Sequence, residues 1–78
     1  MSVWTYNPIE AQREVLRRHE AEAAMHQKGV DFYAAKRGHR NAATADKFRA
    51  LVKAHQGLAI EARDKLVDMI DAEMMKND

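Results

Sequence analysis

From residue 8 onward the apolar side chains recur at helical spacing, in two runs of similar length separated by Lys36-Arg37-Gly38-His39-Arg40-Asn41. In the first run, at 100° per residue, Ile9, Val15, Leu16, Ala23, Val30, Tyr33 and Ala34 share an arc of about 120°. Gln12, His19, His26 and Gln27 fall in the same arc, so this stripe is weakly hydrophobic. The second run is stronger, with Phe48, Leu51, Val52, His55, Leu58, Ala59, Ala62, Leu66, Met69 and Ile70 on one side. Within it Phe48, Leu51, His55, Leu58 and Ala62 are spaced 3-4-3-4, the rhythm of helices that pack nearly antiparallel at about 20°.

Local signals set the boundaries. Asn7 can cap a helix, Pro8 suits its first position, and Glu10 can reach back to the cap amide. Gly38 can take the left-handed conformation that ends one helix, and Asn41 can cap the next. These signals predict an extended N-terminal segment over 1–7, helix 1 over 8–37, a turn at 38–41 and helix 2 over 42–75. Gly29 weakens the first helix by about 1 kcal/mol relative to alanine. The stripe keeps its phase across it, so one continuous helix is predicted; a break with Asp31 capping a short third helix is the alternative. Closure at residues 39 and 40 sets His26 opposite Lys53 and within one turn of His55. The expected fold is all-α, a single domain over 1–78 built as an antiparallel two-helix hairpin.

Beyond Leu58 the apolar face of helix 2 widens, because Ile60, Val67 and Met74 add a second stripe at seven-residue intervals. A helix facing one neighbour needs an apolar arc of little more than 100°, and this half of helix 2 has nearly twice that. The first helix cannot be both neighbours, so the second is another chain, the N-terminal segment carrying Trp4 and Tyr6 folded back, or both. With Trp4 and Met75, these residues form the expected partner or dimer interface. A 78-residue hairpin buries too little surface to stand alone comfortably, and the chain has no cysteine to staple it. A homodimer, pairing two hairpins into a four-helix assembly, is therefore expected.

Charge alters this picture only locally. Thirteen Lys and Arg oppose twelve Asp and Glu, so no overall field draws the chain to nucleic acid or an anionic membrane. The turn is nonetheless basic, and Lys36, Arg37 and Arg40 could contact phosphates. No aromatic lies among them to stack a base, so nucleic acid is only the alternative partner. No apolar run approaches the roughly 18 residues that span a bilayer, and the N-terminus lacks the pattern of a signal peptide. A cytoplasmic protein without membrane contact is expected.

His19, Glu22 and His26 lie along one side of helix 1, near enough to His55 to suggest a metal site built from both helices. One carboxylate is too few for a di-iron type of site, and the ExxH spacing that such sites repeat on two helices is absent. The histidines are instead taken as polar positions that set register, with no metal and no cofactor expected. Buried histidines would also make the assembly acid-sensitive. Few hydroxyl side chains, no cysteine, no glycine-rich phosphate loop and no HExxH argue against an enzyme. Small helical proteins without motifs are often adaptors or inhibitors, including those carried by phages and mobile elements. The expected function is a non-catalytic interaction module that binds and regulates or inhibits another protein.

Overall fold

The computed structural model describes residues 7–76, which form two α-helices, α1 (Pro8–Ala34) and α2 (His39–Lys76), folded into an antiparallel hairpin. Among the described residues there is no strand, and no helix is long and apolar enough to cross a membrane. The hairpin is a plank of 59 × 30 × 12 Å, one helix thick.

The start of α1 follows its sequence signal in part. Asn7 Oδ1 accepts from the amides of Ile9 (3.1 Å) and Glu10 (3.3 Å), satisfying two of the donors that a helix start leaves free. Glu10 does not close the capping box. Its carboxylate turns along the helix to Arg13 at 2.9 Å. The helix then runs unbroken through Gly29, as its phase predicts.

The turn departs from expectation. α1 ends at Ala34, three residues short of Arg37, and α2 begins at His39, three residues ahead of Ala42. The seam explains the early stop: seven residues on from buried Val30 is Arg37, so a longer α1 would press a guanidinium into the interface. Gly38, at φ 116°, takes the left-handed region that glycine alone enters freely. Its carbonyl accepts from the Ala42 amide, so it opens α2 instead of closing α1. Asn41 is consequently inside α2 and is not a cap. Its side-chain amide donates to the Arg37 carbonyl at 2.9 Å and ties the turn to the first helical turn.

This earlier turn moves the register. Gln12 meets Ala62, His19 meets His55, and His26 meets Phe48 and not Lys53. Each step of seven along α1 matches a step of seven back along α2, as in an antiparallel coiled coil. The seam of α1 carries Gln12, Leu16, His19, Ala23, His26, Val30 and Tyr33; that of α2 carries Ala45, Phe48, Val52, His55, Ala59 and Ala62. The 3-4 rhythm is present, but the residues filling it are Val52 and Ala59, whereas Leu51 and Leu58 are exposed on the flank.

The closed core is slight. Its buried apolar side chains are Ala23, Val30, Ala45, Val52, Ala59 and Ala62, and none of the larger described side chains is fully buried. Gln12 is buried with them and donates to the Ala62 carbonyl at 3.0 Å. Small residues let the helices approach closely. At Gly29 this is explicit, because a Cβ there would sit 2.8 Å from the Phe48 ring, which stacks on Tyr33 with centroids 5.7 Å apart. The helix penalty of Gly29 is thus the condition for seating Phe48.

The two interior glycines should respond to alanine with opposite signs. Gly57→Ala meets nothing within 4 Å and should stabilise the hairpin by up to about 1 kcal/mol. Gly29→Ala gains the same propensity but must expel the Phe48 ring, and should destabilise by about 1–3 kcal/mol. Thermal or urea unfolding of the two variants measures both.

Candidate functional site

The hairpin has two broad sides, and each carries a different candidate surface. Residues following the seam positions Val52 and Ala59 turn to one side, and residues preceding them turn to the other. On the first side, Ala23, Ala24, Val52 and Ala59 floor an open groove of about 530 Å³, with Ile60 on its lip. Glu20, Gln27, Gln56 and Arg63 rim it, the Glu20 carboxylate lying 3.9 Å from the Arg63 guanidinium.

Ile60, Val67 and Met74 continue this side along α2 at seven-residue intervals, and Met75 lies beside the last of them. All four are exposed, from 49% at Val67 to 76% at Met75. α2 is eleven residues longer than α1, so its last turns overhang by about 16 Å. At that end Pro8 and Ile9 line an open hollow with Met69, Ala72, Glu73 and Lys76. Trp4 lies outside the described residues.

The opposite side carries the histidines. Their rings follow one another along the seam, His19 to His55 at 5.8 Å and His55 to His26 at 5.3 Å between centroids. His26 also lies 6.0 Å from the Phe48 ring. Glu22, half exposed, brings Oε2 to 3.1 Å from His55 Nε2. Glu22, His26 and His55 each present a metal-ligating atom, all within 4.8 Å of one another. Nδ1 of His19 and Nδ1 of His55 are buried without a hydrogen-bond partner among the described residues. These are polar seam positions, as the sequence suggests, but they do not satisfy one another across the seam.

The basic turn forms no such constellation. Lys36 folds over the Phe32 ring, 4.1 Å from its centroid, and so covers an exposed aromatic. Arg37 and Arg40 are exposed and make no ion pair among the described residues. Their backbone carbonyls accept from Asn41 and Thr44. Phe32 and Met25 on α1, and Leu51 and Leu58 on α2, are exposed apolar residues that the sequence reading left out of its interface. For the two leucines the available signal was their adjacency to Val52 and Ala59, which only the register resolves.

No protein family model, characterised protein or solved structure matches this chain.

An unpaired nitrogen in a seam is a liability to folding, which gives a test of what the histidines contribute. Replacing His19 with leucine removes one buried orphan and places an apolar side chain at a coiled-coil position. His19→Leu should raise stability by about 1–3 kcal/mol, read from the urea midpoint. A loss of stability would mean that the ring is structurally needed.

Proposed function

We propose that this chain is a small non-catalytic protein–protein interaction module. In this reading two hairpins pair through the outer stripe of α2 into a four-helix assembly, which binds and regulates another protein in the cytoplasm. The observation that carries the proposal is the imbalance between what the hairpin buries and what it leaves in water. Four of its six buried apolar side chains are alanines, while Ile60, Val67, Met74 and Met75 are exposed along one face.

Area gives the same argument a scale. The chain exposes 6544 Å², against about 4,800 Å² for a compact monomer of its 8.9 kDa mass. The surplus, about 1,700 Å², is about twice the roughly 800 Å² that one partner contributes to a specific interface of standard size. Methionine suits such a surface because its flexible thioether adapts to the partner it meets. The groove beside Ile60, floored by alanines and rimmed by Glu20 and Arg63, offers an apolar centre with a charged border, the anatomy of a contact patch. The alternative, a nucleic-acid-associated protein acting through Arg37 and Arg40, rests on two unpaired cations alone.

Light scattering across a concentration series tests the pairing. A mass near twice 8.9 kDa is expected for the natural chain. Val67→Glu should return it to the monomer mass by setting a charge in the buried stripe. Reversing Arg37 and Arg40 to glutamate should leave the mass unchanged. If that double variant alone dissociates the assembly, or if the natural chain is monomeric at all concentrations, the assignment of the stripe to pairing is wrong.

A further inference from the structure

We propose that Glu22, His26 and His55 bind one first-row divalent transition ion of the zinc class, and that the ion clips α1 to α2 at mid-hairpin. Two imidazoles and one carboxylate make up a donor set that zinc takes readily, with a fourth position open to water. Glu22 and His26 are four residues apart, hence neighbours on one side of α1, and His55 faces them from α2. The nitrogen donors select against Mg²⁺ and Ca²⁺, which take oxygen ligands.

The distances fit an ion with little adjustment. Bonds of about 2.1 Å in tetrahedral geometry place neighbouring ligand atoms about 3.4 Å apart. His55 Nε2 and Glu22 Oε2, at 3.1 Å, already form one such edge. All separations in the trio are within 4.8 Å, a span that side-chain rotation of Glu22 and His26 would need to shorten only modestly. Glu22 is half exposed and makes no other ion pair among the described residues, so it can turn toward an ion and leaves it a path from solvent.

A second observation points the same way. A seam built only for stability would hold apolar side chains where His26 and His55 stand, yet it holds stacked imidazoles with the His55 Nε2 facing the Glu22 carboxylate. An ion on Nε2 would give this cluster a cohesive centre. The buried Nδ1 of His55 then lacks the outer acceptor that usually supports a ligating histidine, which weakens binding about 10- to 100-fold. Since the trio lies on the side away from Ile60 and Val67, the site does not depend on chain pairing.

The test is calorimetric titration of the full chain with Zn²⁺, with Mg²⁺ as control, beside thermal melts with Zn²⁺ and with a chelator. One Zn²⁺ per chain, no heat from Mg²⁺, and a melting temperature that rises with Zn²⁺ and falls back on chelation are expected. Co²⁺ in place of zinc should give the visible spectrum of a four-coordinate ion. Glu22→Gln changes an exposed group and should keep the fold while weakening Zn²⁺ at least tenfold; His26→Ala should do the same. His39→Ala and His19→Leu should leave the affinity unchanged. The proposal is overturned if Zn²⁺ neither binds nor shifts the melt, if Glu22→Gln binds as well as the natural chain, or if one ion is held per two chains.

Discussion

The close approach of two helices through alanine and glycine governs this hairpin. Ala23 and the bare backbone at Gly29 make the inner face of α1 shallow, and α2 meets it with Ala45, Ala59 and Ala62. Around Ala23 the seam is too narrow to seat leucine in place of Val52 or Ala59. The large apolar side chains are therefore turned to the flanks, Leu51 and Leu58 on one side, Ile60 and Val67 on the other. What looks like an imbalance between core and surface is thus a single packing choice, and it leaves one plank with two unlike sides. The Phe48 ring enters the seam because Gly29 on the opposing helix makes room for it.

Much of the fold was legible in residue order. Asn7 and Pro8 marked the start of α1, and the unbroken phase of the stripe carried the helix through Gly29. The 3-4 rhythm announced antiparallel packing. Assignment to one phase of that rhythm failed because Leu51-Val52 and Leu58-Ala59 are adjacent apolar pairs. Hydrophobicity favours the leucines, while the spacing between helix axes favours the smaller partner, and that spacing depends on the other helix. Asn41 misled for a related reason. An asparagine near a helix start can accept from the helix or donate to the turn, and here the early opening of α2 at Gly38 put it in the second role.

The candidate sites were legible unevenly. The outer stripe followed directly from a seven-residue repeat, since residues that far apart share a side whatever the register. The histidines needed the register itself. A turn closing at residues 39 and 40 pairs His26 with Lys53, whereas the observed turn packs it on Phe48 and His55 and brings Glu22 to His55. Sequence spacing identified the right side chains on α1 but could not say which nitrogen of α2 would face them, nor that the ring nitrogens would lack partners.

The Gln12 amide and the Phe48 ring have a joint consequence. One key sits near the open end, where Gln12 donates to the Ala62 carbonyl, and the other near the turn, where Phe48 fills the notch at Gly29. Sliding α2 by one heptad would keep the alanine seam in phase, yet it would set Gln12 against the larger His55 or Met69 in place of Ala62 and drive an aromatic ring into a helix with no gap for it. The uniform repeat that lets the helices associate is thereby given a single admissible alignment. The hairpin behaves as a keyed joint, in which small residues supply the fit and two larger ones fix the position.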